Sequence, residues 1–271
     1  MPTDAVKTRT IVLQPEDKRQ GRFDHTSGLV YIISPAVLLA VWQIVGLLGW
    51  IDLRFFPLPS QIAVTFYELL VSGEWFVHVG ATLGRVLFGF IVGSALGIVV
   101  GALMGLVPWI RFCVYPLVAS IYPIPKIAIF PLILLIFGLG EASKLVTISA
   151  SCFFFLAISA MSGVLNIPRV YMDVGRNFGA RGLDFIWTVA IPAALPVIFS
   201  GLKLALGAAF LVVVSLEFIN AESGIGWQIW RSWELFSIRM MFVSLLTVSF
   251  LGLILVVALD WLERKLVPWH L

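Results

Sequence analysis

Side chains able to do chemistry are few in this 271-residue chain, and most of them stand alone. His25, His78 and His270 are dispersed, with no pair at ligand spacing, and Cys113 and Cys152 both sit in apolar surroundings. They give neither a metal cluster nor a disulfide framework. No lysine follows a glycine, which excludes the G-x4-G-K-[ST] phosphate loop, and H-E-x-x-H and G-x-S-x-G are also absent. No catalytic residue and no metal ligand is therefore assigned, and any chemistry is expected on a partner.

Two ionisable residues are singled out: Lys126, inside an apolar run among Pro116, Pro123, Pro125 and Pro131, and Glu217, at the end of another. A charge inside lipid is expensive, so such residues line solute pathways or find partners. Lys126, with Pro125 and Pro131, is a pathway candidate; the other reading is a lysine near an interface that snorkels to headgroups. Glu217 lies 14 residues beyond Lys203, about 21 Å along a helix. It is read either as structural, with donors from the turn at 220–226, or as pathway lining. An anionic solute would be repelled by a carboxylate, which favours the structural role.

The elements that position these residues follow from composition. The chain is 60% hydrophobic and only 12% charged, about half the charged share of a soluble domain, which excludes a water-soluble globule. Apolar runs at 29–51, 79–106, 112–139, 144–166, 190–216 and 240–262 predict an all-α polytopic membrane protein with six transmembrane helices. No small-residue cleavage site follows the first run, so it is read as a retained helix. Placing the N-terminus inside puts twelve cations, among them Lys7, Arg9, Lys18, Arg19 and Arg22, on the cytoplasmic side. Only Arg54, Arg85, Lys144, Arg231 and Arg239 then fall outside, which favours N-in and C-in. The net charge of +3 reflects this asymmetry rather than nucleic-acid binding.

Residues 1–27 are thus a cytoplasmic segment, 28–77 a first transmembrane helix and an outer amphipathic segment, 78–262 the transmembrane core with an inner loop at 167–189, and 263–271 a cytoplasmic tail. In the outer segment Pro57 and Pro59 break the chain, Ser60 is placed to cap, and Ile62, Phe66, Leu69 and Leu70 recur at helical spacing. This predicts a short helix lying on the membrane or packed on the outer ends of the bundle. Gly89, Gly93, Gly97, Gly101 and Gly105 form a groove for close helix packing, or a surface that slides. The prolines of the third run predict a kinked or broken helix. In the inner loop, Pro168 suits a helix start, Val170, Val174 and Phe178 share a face, and Gly179 and Gly182 turn the chain. A second short helix over 183–189 is expected to lead to Pro192 and Pro196. The result is a rigid knob that a partner can push.

This loop resembles the E-A-A-x-x-x-G-x9-I-x-L-P pattern of the type I permease subunits of bacterial ATP-binding-cassette importers. Asp173-Val174-Gly175 stands at a degenerate E-A-A, Gly179 at the glycine, Val189 at the isoleucine and Ile191-Pro192 at L-P. Leu58-Pro59-Ser60, His78, Thr82-Leu83-Gly84-Arg85, Pro123-Ile124-Pro125, the run 137–144, Gly224-Ile225-Gly226 and Pro268-Trp269 are similar to the sulfonate, taurine and nitrate branch. The resemblance covers about residues 28–270. It implies a multi-pass permease of the inner membrane, working as a homodimer in contact with lipid. Two ATP-binding subunits would carry ATP and magnesium, with no cofactor on this chain, and a periplasmic or lipid-anchored solute-binding protein would deliver the solute. The loop would be a coupling helix contacting the ATPase through Tyr171, Asp173, Val174, Gly175, Arg176, Phe178, Gly179 and Ala180. The solute would be a sulfonate or taurine-like anion, with nitrate, bicarbonate or a pyrimidine precursor as alternatives. The rival class is an ion-gradient-driven secondary transporter, which calls for inverted repeats and intramembrane acids; no clear repeat is seen, and Glu217 is its only good candidate.

Overall fold

The computed structural model describes residues 26–270, and the cations expected to hold the N-terminus inside (Lys7 to Arg22), like His25, lie outside them. Two compact units divide the chain at residue 51. In the first, helix α1 (Thr26–Leu47) carries Pro35 and ends on Gly49, whose φ of +72° closes the C-terminus. Gly49 and Trp50 donate to the Gly46 and Val45 carbonyls, satisfying acceptors that the helix end leaves open.

The second unit holds ten more helices, and no strand occurs among the described residues. Four helices are long and apolar enough to cross a membrane: α3 (Glu74–Leu106), α6 (Glu141–Leu165), α9 (Ile191–Ile219) with the turn before it, and α11 (Ile238–Leu266). The pair α4 (Pro108–Ile121) and α5 (Lys126–Phe137) makes a fifth span, bent by 100° at the break between them. The kink expected from the prolines is thus a full break: Pro123 and Pro125 have no N–H to continue the ladder.

The glycine stripe of α3 sets the packing of the bundle. From Gly89 to Gly105, each glycine meets α6 in step, from Ile148 to Val164. Equal advances along both chains mean that α3 and α6 run in the same direction. A Cβ on Gly97 would lie 2.6 Å from the Phe153 carbonyl oxygen, so only glycine permits this approach, where lipid supplies no hydrophobic drive. α9 runs back against α6, with Gly201 against Ser159 and Gly163 against Ala194. α11 returns beside α9, tied by Lys203 Nζ to Asp260 and Glu263 at 2.5 and 2.6 Å. The end where α3 and α6 begin and α9 stops is called the upper end here, the opposite one the lower end.

The surface is apolar and much of the polarity is inside: Leu135 and Leu211 are exposed, whereas Arg85, Thr82, Lys144 and Glu217 are buried. That inversion suits a lipid solvent.

Three local expectations change. Helix α2 (Pro59–Ser72) starts at Pro59 with Leu58 as its N-cap, so Ser60 falls inside the first turn, and the Gln61 side chain accepts from the Leu58 N–H at 3.3 Å. Ile62 and Leu69 bury against α11 and α3, so α2 packs on the bundle. The separate helix expected over 183–189 is instead α8 (Gly182–Phe185) and a π-helical turn (Ile186–Ala190) that run without a break into α9. The Ile191 N–H reaches back five residues to the Ile186 carbonyl; this wider turn makes room for Pro192, whose ring would clash with the Thr188 carbonyl in a regular helix. Finally, α10 (Ile225–Glu234), packed on α9, α11 and α3, has no counterpart in the expectations, because its Trp, Gln, Arg and Glu residues break up the apolar pattern.

Candidate functional site

At the lower end, α7 (Arg169–Asn177) follows Pro168 and ends on the Gly179 corner. The Gly179 φ is +84°, and the Ala180 N–H donates to the Gly175 carbonyl at 2.9 Å, a closure that needs the left-handed residue. Gly175 is buried: a Cβ there would meet Val189 Cγ2 at 2.7 Å and the Phe185 ring at 3.6 Å. The third position of the E-A-A pattern and its isoleucine position are therefore packed on each other, fixing α7 on the turn that leads into α9. Val170, Tyr171 and Val174 of α7 and Phe178 just after it are all exposed, Phe178 at 89%. Asp173 and Arg176 are exposed beside them, and Ala180 lines a cavity of about 760 Å³ between the loop and the ends of α3 and α6. All the residues assigned to coupling thus share one corner. An exposed apolar stripe on a helix at an end bearing charges is the kind of surface that marks interaction sites.

The upper end holds a charge network in which Arg85, Lys144 and Glu217 are buried and Glu141 is half-exposed. Arg85 of α3 donates from Nη1 to Glu217 Oε1 at 2.6 Å and grips Glu141 of α6 with Nε and Nη2 at 2.7 and 2.8 Å. Lys144 reaches the same Glu141 at 2.8 Å. Two cations and two carboxylates close with no net charge, which is what a low-dielectric interior requires. The turn after α9 completes the cage: the Gly226 N–H donates to Glu217 Oε2 at 2.8 Å, and the Ile225 N–H to Thr82 Oγ1 at 2.7 Å. Gly224, at φ +126°, has the Glu217 carboxylate where a Cβ would stand, and its N–H donates to His78 Nδ1 at 3.2 Å, a ring stacked on Trp227. Glu217 thus takes a donor from the 220–226 turn, but Arg85 is its main partner, a role sequence reasoning missed. The readable signal was an arginine inside one apolar run and a glutamate at the end of another, neither tolerable alone.

Lys126 sits apart from that network. Its ammonium donates to the carbonyls of Ile121, Tyr122 and Ile124 at 2.9 to 3.1 Å and lies 4.5 Å from the Phe154 ring centroid. The Ile121 carbonyl, which Pro125 cannot serve for lack of an N–H, also accepts from the Ile124 N–H at 3.2 Å. Pro131 lies within α5 next to the fully buried Phe130. The structure therefore does not bring Lys126 and Glu217 together, and each is held by different elements.

Known proteins are similar to this chain. SsuC of Bacillus subtilis, named as an aliphatic sulfonates transport permease, is 32% identical over 244 residues, covering 88% of this chain and 87% of its own. The taurine transport system permease protein TauC of Escherichia coli is 31% identical, covering 87% of each chain. Among solved structures, a chain of the MetNI methionine ABC transporter in an inward-facing conformation superposes with a TM-score of 0.60 at 21% identity, over 73% of this chain and 96% of its own. From residue 76 to residue 268, through the glycine stripe, the broken span and the α7 corner, the sequence matches the binding-protein-dependent transport system inner membrane component family, and the chain belongs to it as a multi-pass protein of the inner membrane.

Proposed function

We propose that this chain forms half of a homodimeric pathway in an ATP-driven importer, carrying a small sulfonate or taurine-like anion. Six spans are assigned, α1 included, with both termini cytoplasmic, so that the lower end faces the cytoplasm. A solute-binding protein delivers the solute at the upper end, and two ATP-binding subunits dock below. When those subunits close, each pulls on α7; because Gly175 is packed against Val189, the pull passes to the π turn and along α9. The chain contributes the pathway and the lever, and the ATPase supplies the energy. The names of the sulfonate and taurine relatives support the choice of solute. With Glu217 paired to Arg85, the ion-gradient alternative loses its acid.

The observation that carries this reading is the exposed apolar stripe of α7, Val170, Val174 and Phe178. Its test is copurification of the chain with its ATP-binding subunit and uptake of labelled taurine in proteoliposomes. Phe178→Ala is expected to weaken association about tenfold or more, as loss of an interface anchor does, while the isolated permease keeps its stability. Unchanged association of Phe178→Ala and Val174→Asp would defeat the lever, and uptake without ATP would defeat the importer.

A further inference from the structure

The break between α4 and α5 holds a positive charge with no acid beside it. Lys126 Nζ bonds only neutral carbonyls and faces one aromatic ring; among the described residues no carboxylate oxygen comes within ion-pair distance. Ser151 of α6 faces the same space, ten residues into its helix, or about 15 Å, near mid-depth of a bilayer core roughly 30 Å thick. It is 4% exposed, and its hydroxyl makes no hydrogen bond among the described residues. Between them lies a cavity of about 340 Å³, walled by Phe154, Phe155, Ile127 and Val212. That size is at the small end of ligand pockets.

We propose that this cavity is a subsite for the anionic head of the transported solute, a sulfonate or similar monovalent oxyanion, with Lys126, the Ser151 hydroxyl and the first turn of α5 as its donors. The inference rests on the importer reading. Twelve residues of α5 aim their N-terminus at the break, and a helix start favours negative charge. An arriving oxyanion replaces one neutral carbonyl as acceptor of the Lys126 ammonium, forming a stronger charge-assisted bond, while the open Ser151 hydroxyl takes a second oxygen. The aromatic and aliphatic walls cover the alkyl part of the solute. Glu217, on the helix that supplies Val212, does not repel it, because Arg85 matches its charge.

The test uses the permease with its ATP-binding subunits in nanodiscs, without the binding protein, titrated calorimetrically with methanesulfonate, acetate, nitrate and neutral dimethyl sulfone. The expected result is oxyanion binding that Lys126→Gln weakens about tenfold or more and Lys126→Arg weakens less. Ser151→Ala, which leaves the carbonyl clamp intact, weakens it a few-fold, and dimethyl sulfone does not bind. Should Lys126→Gln fail to fold, Ser151→Ala decides alone. Binding of acetate or nitrate but not methanesulfonate, with the same dependence on Lys126 and Ser151, supports the subsite while removing the sulfonate assignment. Failure of the wild-type complex to bind any of the three anions, or equal binding in all variants, overturns the subsite whatever the uptake assays give.

Discussion

Arg85 Nη1 lies 2.6 Å from Glu217 Oε1, and neither side chain reaches the surface, at 7% and 0% exposure. The pair joins α3 to α9, and Glu141 brings in α6 through the same guanidinium. A buried pair adds little over apolar packing, but removing one partner strands the other charge at about 3–5 kcal/mol. Glu217→Met and Arg85→Met are each expected to lower the unfolding midpoint of the purified protein steeply, and the two together to cost less than the sum. A strictly additive double-mutant cycle would show that the pair is not coupled.

The glycines of α3 divide into two groups. A Cβ at Gly80 or Gly84 meets nothing within 4 Å, whereas one at Gly97 meets the α6 backbone. Gly80→Ala and Gly84→Ala are expected to be neutral or stabilising by up to about 1 kcal/mol through helix propensity. Gly97→Ala and Gly101→Ala should destabilise by about 1–3 kcal/mol by forcing the helices apart. Thermal unfolding in detergent separates the groups; similar effects at all four positions would contradict the packing.

Much of this was legible because lipid and glycine leave strong marks in a sequence. The apolar runs located α3, α6, α9 and α11; Pro123 and Pro125 located the break; and the four-residue glycine period marked the helix surface that α6 covers. What stayed hidden depends on contacts between distant segments. Nothing local says that Arg85 meets a carboxylate 132 residues away. Nor does periodicity reveal that 183–189 fuses with α9, since the π turn answers a clash around Pro192. α10 was missed because a short helix buried on one side by other helices needs no lipid-like composition.

Gly175 and Val189 give a prediction about the lever. Gly175→Leu has no room beside Val189 and Phe185, so α7 is expected to tilt off its seat, with transport falling at least tenfold while ATP hydrolysis continues. Val189→Ala opens the space that a Gly175→Ala methyl needs, so the double variant should transport as well as the better of its single variants. Measuring uptake per ATP hydrolysed checks this. Full coupling in Gly175→Leu would show that the contact does not transmit the motion.

At the upper end, Phe236 turns the chain from α10 into α11 with a φ of +53°, although it is not glycine. The Ser237 N–H closes the corner on the Ser232 carbonyl at 2.8 Å, and the Phe236 ring is 84% exposed. A left-handed residue with a Cβ costs roughly 1–2 kcal/mol, and so exposed a ring repays little of it by packing. Phe236→Gly is therefore expected to raise the unfolding midpoint of the purified permease, or to leave it level once the added freedom of the unfolded chain is counted. Phe236→Val, β-branched at the same φ, should lower it. The ring also borders a cavity of about 570 Å³ with Arg54 and Arg239, on the side proposed to receive the binding protein. If the aromatic ring is kept there for docking, Phe236→Gly combines unchanged or improved stability with weaker capture of the loaded binding protein, read as a higher concentration for half-maximal uptake. Equal capture by wild type and Phe236→Gly would leave the strained corner without that role.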